Sequence, residues 1–147
     1  MNYKIEKCEP SVFPLLVEIW EDSVRKTHNF LSEEDIAYFK PLILNSYLHA
    51  VDLRVVRDSD SQILGFLGVA EENLEMLFLH LNAFGKGLGR LCLDYAINEM
   101  GVEKVDVNEQ NEQALGFYLH CGFKIIGRSE LDPQGKPFPI LHLALKS

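Results

Sequence analysis

Long apolar runs, basic charge and patterned cysteines are all scarce in this chain, and each scarcity removes a class of function. No stretch of the 147 residues approaches the roughly 18 consecutive apolar residues of a membrane span. Met1-Asn2-Tyr3-Lys4-Ile5-Glu6 alternates like the start of a strand and lacks the pattern of a cleaved leader. The formal net charge is -8 at pH 7, from 14 Lys and Arg against 22 Asp and Glu. That balance argues against nucleic acid or an anionic membrane as a partner. Three cysteines, Cys8, Cys92 and Cys121, cannot all pair within one chain. Cys92 and Cys121 fall on apolar helix faces, so free thiols in a reducing, cytoplasmic compartment are expected. No group of His, Cys and carboxylates has metal-ligand spacing, so no metal is expected. There is no Gly-x-Ser-x-Gly, and no cysteine has a paired base motif, so a covalent acyl-enzyme is not expected.

What is present is a chain with 47% hydrophobic residues, enough for one globular domain over residues 1–147. Tyr3 to Lys7 alternate as a first strand. Val12, Leu15, Leu16, Ile19, Trp20 and Val24 mark one face of a long helix, with Pro14 in its first turn. Ser32 followed by Glu33, Glu34 and Asp35 reads as the capped start of a second helix, which Pro41 should end or kink. Leu53 to Arg57 and Ile63 to Val69 read as a hairpin about a polar turn at 58–61. Strand Leu74 to His80, a helix stopped by Gly101, strand Val102 to Val107 and helix Asn111 to Cys121 follow. The closing strands, Phe123 to Leu131 and Phe138 to Leu145, meet at Asp132-Pro133-Gln134-Gly135, a type I turn with proline second. The order β-α-α-β-β-β-α-β-α-β-β requires an α/β fold with a mixed sheet and helices on both faces.

The most informative six residues are Gly85-Lys86-Gly87-Leu88-Gly89-Arg90, between the strand ending at His80 and a helix marked by Leu88, Leu91, Cys92, Tyr95, Ala96 and Met100. Glycines here permit positive φ and close approach of the backbone to a ligand. Successive N–H groups converge on an anion, and the helix end adds about half a positive charge. A Walker A loop would need Ser or Thr after Lys86, where Gly87 stands. A dinucleotide fingerprint would need glycine at position 90, which is Arg90.

A second constellation runs from Asn108 to Phe123, where Asn108 or Asn111 can cap a helix whose stripe is Ala114, Phe117, Tyr118 and Cys121. Together the two motifs resemble those of the GNAT superfamily of acetyl-coenzyme A-dependent N-acetyltransferases. The family's loop, Gln/Arg-x-x-Gly-x-Gly/Ala, is matched by Phe84-x-x-Gly87-x-Gly89. Its later helix, Asn-x-x-Ala-x-x-x-Tyr-x-x-x-Gly-Phe, is matched in full by Asn111, Ala114, Tyr118, Gly122 and Phe123. Thr27-His28-Asn29-Phe30-Leu31, Gly127-Arg128-Ser129-Glu130 and Gly135-Lys136-Pro137 resemble the small bacterial YjaB-type branch of that superfamily.

The resemblance implies a GNAT-like, mostly antiparallel mixed sheet in which the strand before the loop splays from the strand after its helix. It implies acetyl-CoA as co-substrate, a primary amine of a small molecule, peptide or protein as acceptor, and direct attack in a ternary complex. Leu79 and Leu81 would offer backbone groups to the pantetheine arm, with His80 supporting the loop. Phe84, Gly85, Lys86, Gly87, Leu88, Gly89 and Arg90 would wrap the pyrophosphate. Tyr118 would be the acid facing the departing thiolate, and Asn111 would cap its helix, bond the cofactor, or both. Glu75 and His28 are the two candidates for the base, whereas His120 and His142 show no partner pattern. Phe84 and Leu81 depart from the polar residue and the proline common in the family, which leaves room for a non-catalytic acyl-CoA-binding or partner-binding module. Family members often pair, so a homodimer is a further expectation.

Overall fold

Seven strands follow the apolar alternation: β1 (Lys4–Glu6), β2 (Asp52–Arg57), β3 (Ile63–Ala70), β4 (Asn73–Leu79), β5 (Lys104–Asn108), β6 (Phe123–Ser129) and β7 (Ile140–Leu145). Among the described residues four α-helices connect them: α1 (Phe13–Thr27), α2 (Glu33–Leu42), α3 (Leu88–Met100) and α4 (Glu112–His120). These elements come from a computed structural model that describes residues 3–28, 30–83, 85 and 87–146. The expectations placed on Asn29, Phe84 and Lys86 lie outside the described residues. The strands form one sheet in the order β1-β2-β3-β4-β5-β7-β6. Every neighbouring pair is antiparallel except β4 and β5.

Successive side chains of a strand point to opposite faces, and the core divides accordingly. Val55 and Phe66 join α1 and α2 on one face, while their neighbours Val56 and Leu67 join α3 and α4 on the other. In α1 the buried stripe is Phe13, Leu16, Val17, Ile19, Trp20, Ser23 and Val24, at the spacing of one helix face. Leu15 was expected on that face but lies off the stripe and is 42% exposed; Leu91 of α3 is displaced for the same reason.

Ser32 caps α2 as expected, its Oγ accepting from Asp35 N–H while the Asp35 carboxylate accepts from Ser32 N–H. Pro41 does not stop the helix. The α-helical path continues to Leu42 and widens into a π-helical turn over Ile43–Tyr47. Pro41 removes a donor to the Ala37 carbonyl, but both residues are exposed, so water replaces the lost bond.

Two irregularities shape the centre of the sheet. The parallel pairing of β4 and β5 covers only Asn73 with Lys104 and Leu74 with Val105. Beyond those pairs the strands diverge, while the other edge of β5 is paired to β7 at five residues. In β4 the register with β3 jumps from Val69–Leu74 to Gly68–Met76, which leaves Glu75 as the extra residue of a bulge. Bulges bend a strand and re-aim a side chain, and this one falls where the divergence begins.

Candidate active site

The diverging strands open a cleft of about 430 Å³, closed at one end by the glycine loop and along one side by α4. Gly85 and Gly87 have φ of 78° and 75°. A side chain at either would meet no atom within 4 Å, so backbone conformation, not space, calls for glycine. Gly87 is the N-cap of α3 and provides no side-chain cap. The first N–H groups of α3 therefore have no capping side chain and face the loop that lines the cleft. Arg90 also lines it, with Nε donating to Asp94 at 3.1 Å and a guanidinium N–H to Cys121 Sγ at 3.5 Å. His80 does support the loop entry. Its Nδ1 accepts from Asn82 N–H at 3.1 Å and its carbonyl from Ala83 N–H at 2.8 Å, shaping the tight turn Leu81–Ala83.

Tyr118 lies two turns into α4, 8% exposed, with its ring edge-on to Phe117 and Phe123. It lines the cleft, and no described hydrogen bond engages its hydroxyl. Burial raises its pKa well above the ordinary tyrosine value, and Cys121 and Cys92 add to the rise. The phenol is thus held as a neutral donor.

Asn111 is the N-cap of α4, with Oδ1 accepting from Ala114 N–H at 3.2 Å. Its Nδ2 lies 3.3 Å from His28 Nε2, and His28 Nδ1 lies 2.7 Å from Thr27 Oγ1. Thr27 in turn donates to the Ser23 carbonyl at 2.8 Å. Donor roles follow from the ends inward. The Thr27 hydrogen is committed to Ser23, so Thr27 accepts from Nδ1–H. Asn111 Oδ1 is committed to Ala114, so Nδ2 donates to Nε2. His28 is therefore the neutral Nδ1–H tautomer. Burial pushes its pKa down to about 4. The chain of bonds joins the end of α1 to the cap of α4 across the gap between β4 and β5.

A second cavity of about 460 Å³ lies on the α1 and α2 side, reaching the β6–β7 connection. Rings of Trp20, Phe30, Phe39, Tyr47, Phe78 and Phe138 line it with the carboxylates of Glu75 and Asp132, and among the described residues no Lys or Arg does. Its outer wall is tied to α2. Gln134 bonds Tyr47 and Tyr38, and Lys136 lies 3.6 Å from an Asp35 carboxylate oxygen and over the Tyr38 ring. Asp132 Oδ1 accepts from the N–H groups of Gln134 and Lys136, holding the expected turn.

The cleft and this cavity share His28, Glu75, Met76, Phe78 and Asn108. Glu75 is solvent-accessible within that boundary. Partial burial raises its pKa, and the charge of Asp106 raises it further. Sequence reasoning reached Glu75, His28, Asn111 and Tyr118, and the fold brings all four to the cleft. It missed Asp106, and it left His142 without partners. The structure corrects that reading: His142 Nδ1 is 2.7 Å from Asp106 Oδ1, and its Nε2 is 2.7 Å from Ser129 Oγ. Only strand register could have revealed this, because Asp106 stands opposite His142 on β7. Among the described residues no group of three or more His, Cys, Asp or Glu could hold a metal ion. No described helix is long and apolar enough to cross a membrane.

Residues 51–125 match the model of the acetyltransferase (GNAT) domain. The chain is 41% identical over 129 residues to the peptidyl-lysine N-acetyltransferase YjaB of Escherichia coli (strain K12), covering 88% of this chain and 87% of that protein. It is 27% identical over 123 residues to the peptidyl-lysine N-acetyltransferase YiaC of the same organism, covering 83% and 84%. The solution structure of apo-form YjaB from Escherichia coli superposes with a TM-score of 0.89 at 38% identity, covering 98% of this chain and 97% of that one. A PaiA N-acetyltransferase from Thermoplasma acidophilum, solved with coenzyme A, shares the fold at a TM-score of 0.70 and 20% identity, covering 99% and 100%.

Proposed function

The chain belongs to the GNAT acetyltransferase family, and from that premise we propose that it acetylates the ε-amine of lysine side chains in peptides or proteins. N-acetyl transfer from acetyl-CoA is the family's reaction. The observation that carries the lysine reading is the shared boundary of the two spaces, with Glu75 and His28 lining both. A cofactor entering between the strands and an amine entering through the aromatic cavity would meet there.

The residues fit the cofactor. Left-handed Gly85 and Gly87, the uncapped start of α3 and the unpaired inner edges of β4 and β5 supply N–H groups for a pyrophosphate and for pantetheine amides. Acetyl-CoA, when bound, supplies the activated acetyl group. Gly85 to Arg90 hold the anion, Leu79 and Leu81 the arm, and Asn111 keeps α4 in register with it. Phe84 and Lys86 complete the loop in this reading.

A lysine amine has a pKa of about 10.4, so only about one in a few thousand is neutral at pH 7. Glu75 serves as the base that receives the ammonium proton, its proton affinity raised by burial and by Asp106. His28, with a pKa near 4 and Nε2 already accepting from Asn111, supplies hydrogen-bonding support at the boundary instead. Tyr118 donates to the sulfur as negative charge develops. Its raised pKa makes it a constant donor, and the same dry surroundings raise the proton affinity of the thiolate it faces. Transfer is direct, within a ternary complex. The aromatic cavity suits a lysine's methylene stem and cationic head. A cytoplasmic location and pairing into a homodimer belong to the same reading.

The test is thiol release from acetyl-CoA with a panel of lysine peptides and small amines, with mass spectrometry of the products. Lysine-dependent thiol release and acetylated ε-amines are expected. Release confined to small amines would remove the peptide acceptor.

A further inference from the structure

Asp106, His142 and Ser129 lie on three neighbouring strands, β5, β7 and β6. Asp106 and His142 alternate with Val105, Val107, Leu141 and Leu143, which enter the core beneath α3 and α4, so they point to the opposite face. The two 2.7 Å bonds, Asp106 Oδ1 to His142 Nδ1 and His142 Nε2 to Ser129 Oγ, have the order of a nucleophilic triad. The placement of the carboxylate points elsewhere. Asp106 lines the cofactor cleft together with Glu75, so the array ends beside the proposed base.

We propose that the Asp106–His142–Ser129 chain tunes Glu75, holding a fixed carboxylate charge beside it and cancelling that charge whenever His142 is protonated. The inference rests on the reading of Glu75 as base. With His142 neutral, Nδ1–H donates to Asp106 and the Ser129 hydroxyl donates to Nε2. When a proton from solvent adds at Nε2, the Ser129 hydroxyl rotates to accept, and the imidazolium pairs with Asp106. No other bond changes. In the first state Glu75 faces a bare negative charge and binds protons more tightly; in the second that influence is neutralised. The device therefore strengthens the base as pH rises. Asp106 is the second cause of the raised Glu75 pKa, after burial.

Among the described residues, the charged or titratable groups that line the same two spaces as Glu75 are Asp106 from β5, His28 from the end of α1, Arg90 from α3, Tyr118 from α4, Tyr47 from the turn after α2 and Asp132 from the β6–β7 connection; of these, Asp106 raises the Glu75 pKa. Those at His142 are Asp106 from β5 and the Ser129 hydroxyl from β6. The nearby Arg128 of β6 is engaged by Glu109 at 2.7 Å.

Carbon-13 NMR of the Glu75 carboxyl in the full chain tests the proposal without relying on turnover. In the wild type its titration curve should show a second step at the midpoint of the His142 ring. In Asp106→Asn the main midpoint should fall by about half a pH unit or more, and the second step should vanish. His142→Gln should also abolish the second step. The acidic limb of kcat should move with the Glu75 midpoint in each variant. A single-step wild-type curve overturns the tuning, and needs no variant to fold; so does an unchanged midpoint in Asp106→Asn. Full turnover in Glu75→Gln would instead remove Glu75 as base while leaving the NMR coupling in place.

Discussion

The two edges of β5 have been put to opposite uses. Toward β7 the strand is registered at five residue pairs, from Lys104–Ala144 to Asn108–Ile140. Toward β4 it keeps two, Asn73–Lys104 and Leu74–Val105. Both edges carry the same backbone donors and acceptors, yet one set is satisfied within the sheet and the other faces a cleft. The closed edge carries the packing, with Leu143 fully buried and Leu141 and Val107 close to it. The open edge is bordered by the bulge at Glu75, the phenol of Tyr118 and the His28–Asn111 bond. A strand with half its ladder unmade is a weak structural element and a ready binding surface. The hydrogen-bonded chain from Ser23 to Ala114 stabilises what the missing ladder does not.

That contrast can be broken from either side. The largest effect is expected on the closed edge. Leu143→Ala, a fully buried site, should lower unfolding free energy by about 3–4 kcal/mol in denaturant titration, and cofactor affinity should fall only as the folded fraction falls. On the open edge, Tyr118→Phe should reduce kcat about 100-fold, or about 2.7 kcal/mol, while the melting temperature and the acetyl-CoA dissociation constant stay nearly unchanged. Equal turnover in that variant would remove Tyr118 as the donor to sulfur.

Acid should loosen the bond across the gap. The folded-state pKa of His28 is about 4 against an ordinary 6.5, so above pH 6.5 its contribution is whole. As pH falls from 6.5 toward 4 the unfolded chain takes up a proton that the folded chain refuses, and stability is lost. After allowance for partial exposure the loss is about 2 kcal/mol. Urea titrations from pH 7 to 4.5 should show it, and His28→Gln should flatten the slope over that window. Persistence of the slope in the variant would assign it to other groups. The smallest effect is expected at the loop. Gly87→Ala forces a side chain onto φ of 75°, at a cost of about 1 kcal/mol, and should weaken acetyl-CoA binding several-fold in calorimetry.

The two motifs about Gly87 and Tyr118 were legible in the chain because each is local. A glycine turn and the first turn of its helix are neighbours in sequence, and so are a cap at Asn111 and a phenol two turns on. The capping box at Ser32 and the stop at Gly101, with φ of 71°, were legible for the same reason. Pro41 was legible in part: the α-helical register ends one residue after it, at Leu42, but the chain goes on as a π-helical turn, because on an exposed face water replaces the bond that proline removes. Leu15 misled because hydrophobicity was counted without its angular position. His142 could not be read at all: its partners lie 36 and 13 residues away and meet it only through strand register.

Sequence alone determined the order of elements, the left-handed glycine turn before α3 and the helix that presents Tyr118, since each depends on backbone preferences and spacings of a few residues. Tertiary structure decided which side of β5 would remain open and that Glu75 would be squeezed out as a bulge. It also decided that His28 would meet Asn111 from 83 residues away and lose its basicity to burial. Those outcomes depend on how distant strands align and how much water they exclude, and neither quantity is carried by any short stretch of chain.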